Sequence, residues 1–170
     1  MLIRTERETD FRAIYDLVKS AFATAKVADG DEQYFVERRR RSGGYVPELA
    51  LIVEDGEEII GHVMLTKVVV STATGRQSAL LLAPLSVVLA RRRQRIGATL
   101  VMETLDRARR AGYAAVLVLG DPAYYGRFGF RPSAEFGIRS ANAIEDPFVL
   151  ALALTPGGLT NLAGSVALPT

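Results

Sequence analysis

The spacing of apolar residues changes several times along the chain, and each change marks an element. Leu2–Thr5 is short and partly apolar, the pattern of a first strand. After the polar stretch Glu6 to Asp10, Phe11, Ile14, Tyr15, Leu17, Val18 and Phe22 recur at helical spacing, with Thr9 or Asp10 as the cap. Ala23 to Gly30 is a break of small residues. Asp29 or Asp31 caps a second helix that carries Tyr34, Phe35 and Val36, and Gly43-Gly44 stops it. Leu49–Val53, Asp55-Gly56 and Glu58–Val70 read as a β-hairpin, since Asp-Gly between apolar runs favours a tight turn. Ser71–Gln77 turns the chain again, and Ser78–Leu89 is a third consecutive strand, antiparallel to its neighbour. Ile96, Leu100, Val101, Leu105 and Ala108 then predict a helix over Gly97–Ala111, ended by Gly112. Ala114–Leu119 is fully apolar, as a buried parallel partner should be. Asp121 and Pro122 open a short helix, Ala123–Phe128. Arg131 to Pro147 reads as irregular, Phe148–Leu154 as a strand and Gly164–Leu168 as a last edge strand. Apart from the short helix after Ala114–Leu119, the order is βααβββαβββ, an α/β class with a mixed sheet and one crossover.

Composition narrows this picture only a little. The 170 residues and the lack of repeats or a long linker predict one domain, 1–170. The net charge is only +2, with acidic residues interspersed, which argues against a dedicated nucleic-acid binder. Cysteine is absent, which excludes disulfides, thiolate metal sites and cysteine nucleophiles. No metal is expected. The start of the chain lacks the apolar run of a signal peptide, and Ala79–Ala90 is too short to span a membrane. The expected location is the cytoplasm.

One junction carries candidate chemistry. The apolar run Ala79–Leu89 is followed by Arg91, Arg92, Arg93, Gln94 and Arg95, and then by the helix beginning at Ile96-Gly97-Ala98. The first N–H groups of a helix lack internal partners, and the helix dipole makes that end positive. Arginines and a glycine at such an end suit a pyrophosphate. A solvated charge cluster between two core elements fits the residues equally well. The second basic run, Arg38–Arg41, lies in a last helical turn, where it complements the dipole; that reading outweighs a role in holding a substrate. Position favours the first junction, because it lies where antiparallel strands hand over to a parallel one and ligands bind beyond strand ends at such points.

Several stretches resemble the GNAT superfamily of N-acetyltransferases, in particular its YhbS-like bacterial branch. The family's acyl-CoA motif, Gln/Arg-x-x-Gly-x-Gly/Ala, falls on Arg92-Arg-Gln-Arg95-Ile-Gly97. Val46-Pro-Glu-Leu-Ala-Leu51, Gly61-His-Val-Met-Leu65, Ala83-Pro-Leu-Ser-Val87 and Leu152-Ala-Leu-Thr-Pro-Gly-Gly-Leu159 resemble the branch too. The most specific match is Leu119-Gly-Asp-Pro-Ala-Tyr-Tyr-Gly-Arg-Phe-Gly-Phe-Arg-Pro132, and together the matches span nearly the whole chain. One position departs: the motif's first glycine is Arg95. Its Cβ penalises a positive φ, while its guanidinium stands beside the phosphates. If the turn needs only helical dihedrals there, Arg95 is tolerated and can contact phosphate directly; if not, cofactor affinity falls. The intact remainder of the pattern favours tolerance.

The resemblance implies a GNAT acyl-CoA N-acyltransferase fold and direct transfer from acetyl-CoA, the cosubstrate, to a primary amine of a small molecule or protein. It implies that the pantetheine arm lies along strand Leu85–Leu89 at Val87, Val88 and Leu89. Arg92, Arg93, Gln94, Arg95, Ile96, Gly97, Ala98 and Thr99 then surround the pyrophosphate. It implies Tyr125 as general acid toward the CoA sulfur, and Glu48 as a carboxylate shown to the acceptor. A phenol stays protonated at neutral pH. Tyr124 and Tyr125 also read as core aromatics, and adjacent helical positions diverge by about 100°, so only one faces the cofactor. Glu48 also reads as an exposed strand-end residue. His62, the single histidine, reads as a hydrogen-bonded core residue more than as the base, Asp121 reads as a cap, and a water chain is an alternative to any side-chain base. Ala21–Gly44 and Arg131–Pro147 would shape the acceptor pocket, and a homodimer through the C-terminal strands is a family habit. Two other classes remain: an acyl-CoA-binding module without turnover, and a nucleic-acid binder, which the charge disfavours.

Overall fold

The structure, a computed structural model, describes residues 1–25, 30–142 and 145–170. Asp29, one of the two cap candidates for the second helix, lies outside them. The chain forms two compact units, one of residues 1–66 and 83–107 and the other of residues 67–82 and 108–170.

The first unit contains β1 (Leu2–Thr5), α1 (Phe11–Phe22), α2 (Glu32–Arg41) and β2 (Tyr45–Asp55). It also takes the start of β3 (Glu58–Thr72), the end of β4 (Gly75–Val87) and most of α3 (Ile96–Arg110). β2 pairs antiparallel with β1 and β3, and β4 lies beside β3. The Asp55-Gly56 turn forms as expected, with Gly56 at φ +63°. Ile14, Val18, Val36, Ala50, Ile52 and Met64 form a buried core in which one face of α1 and α2 meets one face of the hairpin. On the other face, Gly61 lies under Leu100 and Ile96 of α3. Both predicted caps sit at the right positions, but neither caps through its side chain: Asp10 and Asp31 turn to Arg4 and Arg38 instead.

The second unit contains β5 (Ala115–Leu119), α4 (Pro122–Tyr125), β6 (Arg131–Pro132), β7 (Ile138–Ser140), β8 (Val149–Ala153) and β9 (Gly164–Val166). α3 ends as the sequence indicates: Gly112 takes φ +91°, and Tyr113 N–H donates to Ala108 O while Gly112 N–H donates to Arg109 O. β5 then runs parallel to β4, Leu80 opposite Val116 and Leu82 opposite Val118. β8 is antiparallel to β5 on the other side. Asp121 caps α4 by accepting from Ala123 N–H at 2.9 Å.

Two expectations fail here. Arg131–Pro147 is not simply irregular, since β6 pairs with β8 and β7 pairs with β9. Strands of two and three residues are too short to show any periodicity. β9 is not an edge strand, because it lies between β3 and β7, antiparallel to one and parallel to the other. Gly164 begins it, and a Cβ there would overlap the Ser71 carbonyl. Gly164→Ala should therefore cost about 1–3 kcal/mol in urea unfolding, whereas Gly43→Ala, which meets nothing within 4 Å, should cost much less.

Candidate active site

Within the first unit, the site begins with a strand that loses one neighbour. β4 pairs with β5 over Leu80–Leu82. Among the described residues, no strand continues that pairing along Ala83–Val87. Val88 N–H donates to Ile60 O at 3.0 Å, toward β3. Alternation along a strand turns Val87's own N–H and C=O the opposite way, to the free edge. Leu89 is exposed and begins the turn, where Arg92 N–H donates to its carbonyl.

The basic turn divides its side chains between two tasks. Arg91 donates to Asp55 at 2.8 Å, holding that carboxyl below its usual range, and also to Gln94. Arg92 donates to Ala21 O, at the end of α1, at 2.8 Å. These bonds tie the turn to the hairpin and to a helix. Arg93 and Arg95 are exposed, and their guanidinium groups have no hydrogen-bond partner among the described residues.

Arg95 does not take helical dihedrals. Both Arg93 and Arg95 sit at φ +64°, the left-handed region that glycine tolerates and other residues adopt at a cost. The resulting turn leads directly into α3. Thr99 N–H donates to Arg95 O at 2.9 Å and closes the first helical turn. The amides left without helical partners are thus those of Ile96, Gly97 and Ala98, while Thr99's is already used. Three unspent amides thus follow directly on two exposed arginines in the chain, with no acidic residue in the first turn of α3.

Glu48 is exposed on β2, inside the register irregularity between Tyr45 and Ala50. His62 is the hydrogen-bonded core residue that its apolar surroundings predict: fully buried, with Nε2 2.9 Å from Glu6 Oε2. Glu6 also accepts from Arg40 (2.8 and 2.9 Å) and from the Tyr45 hydroxyl (2.7 Å). Burial alone would push the Glu6 carboxyl up, but hydrogen bonds from Arg40 and His62 outweigh it and hold the group at about 2. Arg38–Arg41 form the last turn of α2, as expected, and three of them make bonds within the fold: Arg38 reaches Asp31, Arg39 reaches Thr66, and Arg40 reaches Glu6. Glu6 itself had no sequence signal, since its partners lie 34, 39 and 56 residues away.

The second unit holds Tyr125. Its ring lies over Gly120, where any Cβ would overlap it, and is edge-on to Tyr124 and Phe130. Burial, and then the neighbouring Tyr124, push its phenol well above the usual range. No described residue bonds its hydroxyl. Tyr124 instead carries Arg127 over its ring face, 4.3 Å from the centroid. Gly120, next to the recognised Asp121, was the residue missed.

Known proteins resemble this chain in sequence and fold. Residues 2–133 fit the model of the acetyltransferase (GNAT) domain family. Over 140 residues, 82% of this chain and 78% of the relative, the sequence is 35% identical to the uncharacterized N-acetyltransferase YhbS of Escherichia coli K12. The crystal structure of Escherichia coli YhbS in complex with CoA is similar at TM-score 0.86 and 30% identity, covering 98% of this chain and 88% of that one. A GNAT family acetyltransferase from Brucella melitensis, in complex with acetyl-CoA, gives 0.79 and 27%, covering 98% and 94%.

Two outcomes are expected of the first unit. Arg95→Gly should raise unfolding stability by about 1 kcal/mol, because the left-handed φ no longer carries a Cβ. The depressed Glu6 carboxyl should make folding pH-dependent. Its contribution is complete above the ordinary 4.5 and is lost as pH falls toward about 2. Denaturant titrations at pH 5 and pH 2.5 should show that loss, and Glu6→Gln should shrink it.

Proposed function

The chain belongs to the GNAT acetyltransferase family, and from that premise we propose that it moves an acetyl group from acetyl-CoA to a primary amine by direct attack within a ternary complex. The whole chain, residues 1–170, is read as one cytoplasmic transferase domain. The observation that carries the reading is the free edge at Ala83–Val87, which leads into a helix start with three unspent amides and two uncommitted arginines. The pantetheine amides take the place of the missing strand along Val87 and Leu89. The pyrophosphate takes the Ile96, Gly97 and Ala98 amides, with Arg93 and Arg95 beside it. The relatives that bind CoA and acetyl-CoA support this choice of ligand.

The chemistry requires an uncharged amine, a positioned thioester and an acid for the leaving thiolate. As the nitrogen attacks, a C–N bond forms and the C–S bond breaks. Tyr125 gives its phenolic proton to the departing sulfur. Burial keeps the phenol protonated until then, and its hydroxyl has no competing partner among the described residues. Glu48, exposed on β2, presents a carboxylate to the acceptor's ammonium.

Purified protein given acetyl-CoA and a panel of primary amines should release thiol above the rate of hydrolysis. Tyr125→Phe should lower kcat about 100-fold and leave the affinity for acetyl-CoA unchanged. Tight CoA binding with no amine-dependent release would instead make the protein a binding module.

A further inference from the structure

The turn between β4 and α3 is anchored at both ends and strained between them. At its near end, Arg91 donates to Asp55 and Arg92 donates to Ala21 O, each at 2.8 Å. At its far end, Ile96 is buried against Gly61 of β3. Between these anchors lie Arg93, Gln94 and Arg95, and both arginines stand at φ +64°. The left-handed form disfavours each of them roughly tenfold. Such residues persist where their surroundings impose the conformation.

Asp55 has an odd place beside this turn. It ends β2, next to the turn glycine Gly56. The bond from Arg91 holds its carboxyl below the usual range, so it is ionised at neutral pH. By charge alone, a carboxylate tied to a turn that receives a pyrophosphate weakens the site. Its bonding has the opposite effect. Arg91 uses Nη2 on Asp55 and Nε on the side-chain oxygen of Gln94, at 3.2 Å. A chain of bonds thus runs from the β2–β3 hairpin, through Arg91, to the residue that separates the two left-handed arginines.

We infer that Asp55 is a positioning residue for acetyl-CoA: through Arg91 and Gln94 it holds Arg93 and Arg95 in their left-handed form, so the turn is ready before the pyrophosphate arrives. The inference rests on the transferase reading above. A turn already in its bound form loses little further freedom on binding. With the tie cut, the turn relaxes, and the cofactor must restore both left-handed residues. Side-chain exposures of 27% for Arg91 and 40% for Asp55 make this a partly exposed ion pair. Such a pair shifts an equilibrium by up to about fivefold, which sets the size of the loss. The two effects of Asp55 differ in sign. Repulsion predicts tighter CoA binding without the carboxylate, and positioning predicts weaker binding.

Titration calorimetry of the full chain with CoA reads that sign. Asp55→Ala should raise the Kd about fivefold. Without any cofactor, it should also speed hydrogen exchange at the Thr99 amide, which is bonded to Arg95 O. In protein carrying Arg93→Gly and Arg95→Gly, the same change should no longer weaken binding, because glycine takes a positive φ freely. In thiol release, the loss should fall on KM for acetyl-CoA and not on kcat. Binding that tightens or stays the same in Asp55→Ala overturns the positioning role alone. So does an equal loss in both backgrounds, or Thr99 exchange that does not change. Wild-type protein that binds no CoA overturns the transferase reading, and the positioning role with it.

Discussion

The first unit is organised around one buried charge. Glu6 follows β1 directly, and its carboxylate receives bonds from α2 through Arg40, from β2 through Tyr45 and from β3 through His62. Its backbone N–H donates to Ala50 O, which holds it against the hairpin. Burying a carboxylate is expensive unless every oxygen lone pair is engaged. Here the compensation is unusually complete, and one of the donors is itself pinned: the Arg40 guanidinium lies 3.8 Å over the Phe11 ring. The packing of α1 and α2 on the hairpin is thus tied to a polar constraint as well as to the Ile14–Met64 core. A hydrophobic face alone permits sliding, whereas a bidentate Arg–carboxylate pair has one geometry.

A second constraint works through the backbone. β4 has its β3 neighbour on one side, while on the other its pairing with β5 covers only Leu80–Leu82. An unpaired strand edge is a liability unless something covers it. The turn that follows holds two arginines at φ +64°. Left-handed non-glycine residues are kept where surrounding bonds impose them and where function uses them. The Arg91–Asp55 and Arg92–Ala21 bonds supply the first condition. Their exposed side chains immediately precede the three open amides of α3 in the chain. Arg95 thus exchanges the conformational ease of the motif glycine for a cation at the same point.

What the residues revealed before the structure depended on range. Asp55-Gly56, Gly112 and Asp121 announce turns and caps through their neighbours, and each of these was legible. α3 was legible because its apolar stripe continues over several turns. β6 and β7 were not, since two or three residues have no period to detect. β9 was mistaken for an edge because its two neighbours, β3 and β7, come from distant parts of the chain. The same distinction divides the site. The basic turn and Tyr125 lie in contiguous motifs. Glu6 read as one acidic residue in a polar stretch, and only the fold brings Arg40, Tyr45 and His62 to it. Arg95 shows a third limit, since a motif records which residue is present but not the dihedral it must adopt.

Two environments push a carboxyl and a phenol in opposite directions. Tyr125 is half-buried among rings, beside Tyr124 and Phe130, with no cation on its hydroxyl among the described residues, so its phenol is pushed up. Glu6 is buried among donors, so it gives up its proton readily and stays charged. A permanently ionised carboxylate makes a poor base of its own, because little drives a proton onto it. It serves better by fixing the tautomer of a neighbouring imidazole and stabilising the cation that forms when the other nitrogen is protonated. Separating the environments of titratable groups is how one fold performs acid and base chemistry at a single pH.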